Sequence, residues 1–506
     1  MLDKFSFTMN RATGGQTVAS PSELVELLHI CTRSLGLLYL VIDGIDECCD
    51  QDAVVRGLLS LADSTNVKVL IFSRPNVDSL FRQVTETERV TMEASSVKGD
   101  IKLYLTNQLT ALSSEGYLPP DANTSELATQ LLYGADGMFL WARLMLAYLR
   151  SPAFTPDQRV TEIGGVRLPE GLPDMYQRIL SQIKKCPGAE SLATQVFTWL
   201  TFSTEFLTLE MLYQAIVSYE LSEDPTSFQR SVVVTCGGLL EVGERNIIRF
   251  IHLSVRDYFI GYRNNPGSQG HIQTQFKFPS KAESNLQIGQ KCLSYLTCAV
   301  PAGPLSGSLG LLASRPQTRR NFPLLSYAAL SWVGHLHQSI PMGLPWDPQL
   351  VLPDASSVKE LVTALSRFLG HPRLVMTWVE AFYLFSVHRS PPAFDDLRTW
   401  CKKLCQTFPN ISSTRISKDI MEFSSDLARL HRSWGETLFH GPFKIWGDVT
   451  GFHTSRFLAQ TKAVRVESLA STLGQGTQLM DSPLCHCSRP LHDGLQLAVL
   501  SIWPRQ

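Results

Sequence analysis

The chain has almost no net charge. Its 45 Lys and Arg nearly balance 46 Asp and Glu, giving a formal −1 over 506 residues and a pI of about 6.9. That balance recommends neither nucleic acid nor an anionic membrane as a partner. Long apolar runs are missing as well: none approaches the ~20 residues that a membrane helix requires. The opening residues, MLDKFSFTMNRATGG, contain no secretory apolar core. The eleven cysteines are scattered and odd in number, which reads as reduced thiols rather than a disulfide frame. Together these absences predict a cytoplasmic protein. No internal repeat of roughly 20–50 residues is present. No G-x-S-x-G elbow surrounds Ser254, so Ser254 and Asp257 beside His252 do not make a hydrolase. No segment reads G-x-x-x-x-G-K-[ST], the loop whose amides and lysine cradle phosphates.

What is present is concentrated between Leu37 and Pro75. An apolar run, Leu37–Ile42, ends in Asp43, and Asp46 and Glu47 follow within one turn. A second run, Val67–Phe72, ends in Ser73-Arg74-Pro75. Between them, Val54, Val55, Leu58, Leu59 and Leu61 mark one face of a helix. Run, helix, run predicts a βαβ unit with buried parallel strands. Acidic and basic groups then stand past the C-terminal strand ends, the edge at which open α/β sheets bind ligands. A carboxylate there can hold Mg²⁺ opposite a phosphate group, a second can polarise water, and an arginine can neutralise a phosphoryl oxygen. The alternative is solvated loop charge.

Apolar alternation at Phe5, Phe7 and Met9 allows a short strand near the start, and Ser20-Pro21 starts a helix that reaches about Leu35. After the βαβ unit, Val77–Val84 reads as a short helix and Arg89–Met92 as a third strand. Helices follow at about Val97–Leu112, Ser125–Tyr133 and Met138–Arg150. Ser151–Leu168, rich in Pro and Gly, reads as a linker. Helices at Leu172–Lys185, Glu190–Phe202, Thr208–Tyr219 and Ser227–Cys236 lead to a hairpin, Leu239–Val242 and Ile247–Ile251, and a helix from Leu253. Six more helical segments span Glu283 to Phe439, with aromatic-rich stretches that read as core. The tail from Val464 has no period. Cys485-His486-Cys487 with His492 lacks zinc-site spacing, and Cys48-Cys49 reads as thiols.

LYLVIDGIDEC followed by VKVLIFSRP resembles the Walker B and sensor-1 segments of NACHT-type STAND NTPases, the fungal branch in particular. GMFLWARLMLAYL, LPEGLPDMYQRIL, GGLLEVGERNIIRFIHLSVRDYF, CLSYLTCAVPAGPLSG and FPLLSYAALSWVGHL extend the resemblance over roughly residues 20–450. It implies an α/β fold followed by all-α. Residues 1–95 would be a partial P-loop/AAA+-like nucleotide-binding core and 96–165 a helical domain. A winged-helix domain would occupy 166–265 and a second helical domain 282–450, with an irregular tail at 451–506. It implies Mg²⁺ on Asp43, water activation by Asp46 or Glu47, and a sensor role for Arg74. His252, in FIHLSV, would contact the β-phosphate of bound ADP and hold a closed state. The ligands would be ATP or ADP, or GTP.

The missing lysine loop qualifies all of this. Asp43 would face a metal with little nucleotide to bridge to, so weak or absent binding and negligible hydrolysis are expected. The chain reads as a shortened product or an incomplete gene model; residues 3–9 supplying a replacement strand is the third option. Its function reads as a STAND-class nucleotide switch with impaired binding. A non-catalytic module that binds full-length relatives is the alternative. Expected partners are proteins, as homo-oligomers or full-length relatives, with no membrane. The acidic wing residues Glu241 and Glu244 argue against DNA.

Overall fold

The computed structural model describes residues 21–33, 36–48, 50–64, 66–73, 77–85, 89–164, 168–186, 188–217, 224–261, 276–340, 352–386, 394–410, 414–459 and 497–499. The chain forms two compact units, residues 1–92 with 477–506, and residues 93–476. The first is a small α/β unit. The second is mostly helical and carries one small antiparallel sheet. The divisions expected at 96–165, 166–265 and 282–450 all lie inside the second unit.

In the first unit, α1 (Pro21–Arg33) precedes β1 (Leu38–Asp43), α2 (Gln51–Ser64), β2 (Val67–Phe72) and α3 (Asp78–Gln83). β1 and β2 are parallel, in register from Leu38 opposite Val67 to Asp43 opposite Phe72. Helix α2 is the crossover, and Asp50 caps it by accepting from the Ala53 amide at 3.0 Å. Leu40 and Ile42 of β1, Val67 of β2 and Val55, Leu58 and Leu61 of α2 form one apolar core. Alternation then leaves Tyr39, Leu70 and Phe72 on the other face, where all three are exposed. Both faces were expected to be covered; the apolar runs do not distinguish one covered face from two. A three-residue strand, Leu497–Val499, lies parallel to β1 on the edge away from β2. The expected strand at Arg89–Met92 does not form. Its apolar residues Val90 and Met92 are exposed, and no described strand pairs with them.

The second unit opens with α4 (Ala94–Ser114), α5 (Thr124–Ala135) and α6 (Phe139–Leu149). Helix α6 is apolar nearly all round and is accordingly buried from Trp141 to Leu149 except at Arg143 and Ala147. The segment read as a linker contains a helix, α7 (Pro156–Gly164). Thr155 and Gln158 form a reciprocal cap there: the Gln158 amide donates to Thr155 Oγ1 at 3.3 Å, and the Thr155 amide donates to Gln158 Oε1 at 2.9 Å. Buried Arg159 ties α7 to the end of α6. It donates to the carbonyls of Leu149, Tyr117 and Ser151 at 2.6, 3.2 and 2.9 Å.

Next come α8 (Gly171–Lys185), α9 (Ala189–Phe202), β3 (Leu207–Thr208), α10 (Leu209–Ile216), α11 (Pro225–Thr235), β4 (Leu240–Val242), β5 (Ile247–Phe250) and α12 (Leu253–Gly261). The three strands are antiparallel in the order β3-β5-β4. The turn between β4 and β5 holds Arg245 and Asn246 at φ of 58°. Glu241 on β4 accepts from Arg249 Nε across the hairpin at 2.7 Å.

The remaining elements are helical: α13 (Lys281–Cys298), α14 (Arg315–Asn321), α15 (Leu325–Ser339), α16 (Ala355–Leu369), α17 (Pro372–Phe385), α18 (Phe394–Thr407), α19 (Thr414–His440) and α20 (Asp448–Phe452). Helix α14 has no counterpart in the sequence reading, since RPQTRRN offers no apolar stripe. The aromatic-rich helices α15 and α17 are core, as expected: Trp332 meets Trp378 edge-on at 5.7 Å and Phe368 at 6.0 Å. No helix among the described residues is long and apolar enough to cross a membrane.

Candidate functional site

The acidic turn is shaped by what ends β1. Gly44 follows Asp43 with φ 76° and ψ 36°, a left-handed conformation that glycine adopts without steric cost. Its amide donates to the Phe72 carbonyl at 3.0 Å, which joins the ends of both strands. The chain then winds through a short 3₁₀ turn, Ile45–Glu47. Ile45 is fully buried and anchors the turn. Gln51 Nε2 donates to the Asp46 carbonyl at 2.9 Å and ties the turn to the start of α2.

Asp43 is therefore exposed at the C-terminal end of β1, while Asp46 is half-buried one turn on. Glu47 has its backbone in the same turn. Arg74, the expected sensor, lies outside the described residues, as do Cys49 and the cluster Cys485, Cys487 and His492. Among the described residues, no three His, Cys, Asp or Glu side chains converge on a common point that could hold a metal. Mg²⁺ needs no such cage. It keeps waters and takes one or two carboxylates, with phosphates supplying other oxygens. Asp43, exposed at the strand end, could supply one such carboxylate.

His252 belongs to the other unit. It follows β5 and immediately precedes α12, and its side chain is exposed. The Ile251 amide donates to the Leu239 carbonyl at 2.9 Å, which closes the hairpin just before it. The Ser254 amide donates to His252 Nδ1 at 3.1 Å, and Ser254 Oγ lies 2.6 Å from the same nitrogen. Ser254 Oγ in turn lies 2.7 Å from the hydroxyl of Tyr176 on α8. Burial, first of all, raises the pKa of that hydroxyl above the usual tyrosine value. Tyr176 is buried and meets Tyr258 edge-on at 5.3 Å.

The structure thus places Asp43 at a strand end and Asp46 on the turn that follows it, and it gives His252 the support of Ser254, which Tyr176 backs in turn. The sequence reading missed Tyr176 and noticed Ser254 only as a possible nucleophile. The i, i+2 spacing of His252 and Ser254 at a helix start is a local capping signal. Tyr176 lies 78 positions away, and no periodicity reports it.

A family model described as nephrocystin 3, N-terminal, matches residues 6–74. The match takes in β1, α2, β2 and the carboxylates Asp43, Asp46 and Glu47, and it stops at Arg74. It does not reach the unit that carries His252. Comparison with curated proteins and with solved structures finds no match.

Proposed function

We propose that the chain is a STAND-class signalling protein of the NACHT type, a switch that answers to a bound nucleotide. The observation that carries this reading is Asp43, held by Gly44 at the C-terminal end of a strand in a parallel βαβ unit. In that position a carboxylate holds Mg²⁺ directly or through water, and Asp46 or Glu47 orients a water for attack. Arg74 would meet a phosphoryl oxygen from beyond β2. The order of elements from α9 to β5, helix, strand, two helices and a hairpin, is compatible with a winged helix and so supports the same reading. So does His252 directly after it, where an imidazole N–H donates to a phosphate oxygen and serves as a latch. The N-terminal match to the nephrocystin 3 model is compatible with this reading and does not test it.

The sequence supplies no lysine-bearing phosphate loop, so nucleotide binding by this chain is impaired. ATP hydrolysis by this chain alone is then negligible. A second reading, a non-catalytic module that binds relatives carrying that loop, is favoured by one observation. Tyr39, Leu70 and Phe72 leave an apolar sheet face exposed, and such faces mark interaction sites.

Calorimetry with Mg²⁺ and ADP or ATP separates the two. The switch predicts measurable binding that Asp43→Ala and His252→Ala each weaken at least tenfold, or about 1.4 kcal/mol. Equal binding in all three proteins would overturn it. No binding, with mixed oligomers formed alongside a loop-bearing relative, would favour the module.

A further inference from the structure

We infer that Ser254 and Tyr176 lock the His252 imidazole with its proton on Nε2, the tautomer that a contact from this nitrogen to a phosphoryl oxygen requires. The lock follows from the direction of three contacts. A backbone N–H can only donate, and the Ser254 amide meets His252 Nδ1 at 3.1 Å. Nδ1 must therefore present its lone pair. A proton on Nδ1 would set two positive hydrogens against each other. Ser254 Oγ, 2.6 Å away, then sends its own proton to the same lone pair.

That leaves the Ser254 oxygen as an acceptor, and the only role open to Tyr176 Oη at 2.7 Å is donor. Burial of Tyr176, which keeps its hydroxyl protonated, agrees with that role. Donation runs from Tyr176 through Ser254 to His252 Nδ1, and the ring proton is driven to Nε2. A histidine so fixed neither abstracts a proton at Nε2 nor ligates a metal there. It offers an N–H, which suits the oxygen of a phosphate and not a cation. Ser254 and Tyr176 are positioning residues for that donor, and α8 becomes part of the latch through Tyr176.

The role for phosphate rests on the proposed nucleotide switch, whereas the tautomer does not, and one experiment separates them. The full chain is labelled with ¹⁵N-histidine, and His252 is assigned by its loss in His252→Gln. Long-range proton–nitrogen correlations at neutral pH then read which ring nitrogen carries the proton. The lock predicts an Nε2–H pattern in the wild type. It also predicts a minor tautomer enriched about threefold to tenfold in Ser254→Ala and in Tyr176→Phe, the loss of one hydrogen bond each. Ser254→Thr restores the wild-type pattern. An Nδ1–H pattern in the wild type overturns the lock, as do unchanged populations in both variants. Tyr176→Phe keeps the ring in the core, so a folded variant is available. Inorganic pyrophosphate with Mg²⁺ is then added. A shift confined to the Nε2 resonance supports the phosphate role. Its absence, with the tautomer as stated, refutes the nucleotide reading and leaves the lock standing.

Discussion

Tyr327 Oη stands 2.7 Å from His335 Nε2, and on the far side of the same ring Asn285 Oδ1 stands 2.8 Å from Nδ1. The Asn285 amide nitrogen donates to the Lys281 carbonyl, so its oxygen is the acceptor and Nδ1 carries the ring proton. Tyr327 then donates to Nε2, and its oxygen accepts from the Thr204 amide at 3.4 Å. Every polar atom of the buried ring is satisfied in the neutral form, with no carboxylate bonded to it. A charged ring would have to reverse the Tyr327 hydrogen bond and would meet no carboxylate in return for its desolvation.

Acid stability follows from this. Burial lowers the His335 pKa from 6.5 to about 4. Between those values the unfolded chain binds a proton that the folded chain refuses, so stability is complete above pH 6.5 and falls as the pH drops toward 4. The full span corresponds to about 3 kcal/mol. Burial shifts His431 and His453 the same way and adds to the effect. Urea unfolding of the wild type and of His335→Gln from pH 7 to pH 4.5 measures it. The variant is expected to lose about 1.4 kcal/mol per pH unit of slope, the share of one proton. Equal slopes in both proteins would contradict the assignment.

A second prediction concerns Gly137, which has φ 80° and lies between α5 and α6. A Cβ built there would sit 2.5 Å from Ala94 Cβ and 2.6 Å from Ala94 Cα, which is backbone and cannot swing aside. Gly116 offers a control, with φ 79° and nothing within 4 Å of its imagined Cβ. Gly116→Ala should cost only the left-handed strain, about 1 kcal/mol. Gly137→Ala should add the clash with the start of α4 and cost about 3 kcal/mol or more. Thermal unfolding of the two variants side by side isolates the contact. Equal costs would mean that α4 yields freely.

The strand Val67–Phe72 is legible in the sequence residue for residue, because a six-residue run, apolar except at Lys68, stands between a polar turn and Ser73. The same run is silent about which face is covered, and the exposure of Leu70 and Phe72 follows from elements that lie elsewhere in the chain. Helix α7 is hidden for a different reason. The Pro and Gly content of its neighbourhood reads as linker, while the signal that starts it is the four-residue box Thr155-Pro156-Asp157-Gln158. Asp43, Asp46 and Glu47 stand out because strand-end carboxylates are local in sequence. The support for His252 is only half local: Ser254 is adjacent, whereas Tyr176 arrives through the packing of α8 against α12. His335 carries no sequence signal at all, since its partners come from α13 and from its own helix two turns back.

Glu380 is the third test, and it probes how a buried charge holds a loop. It is fully buried on α17. Its Oε2 accepts from the Leu305 amide at 3.0 Å and from Trp446 Nε1 at 2.7 Å, while Oε1 has no hydrogen-bond partner. Burial raises its carboxyl above the usual range. Arg373, nearly two turns earlier, donates to the Ala302 carbonyl at 2.8 Å and stacks over Trp446. One helix face therefore clamps the segment that leads to the exposed Leu309, Leu311 and Leu312. Glu380→Ala strands two buried donors, at about 1–3 kcal/mol each. Glu380→Gln keeps an oxygen to accept from them and should cost only about 1 kcal/mol. Chymotrypsin cleavage at those three leucines, followed at native pH, reads the local opening and should accelerate in Glu380→Ala far more than in Glu380→Gln. If both variants cleave at the wild-type rate while global stability drops, the carboxylate supports the core and not the loop.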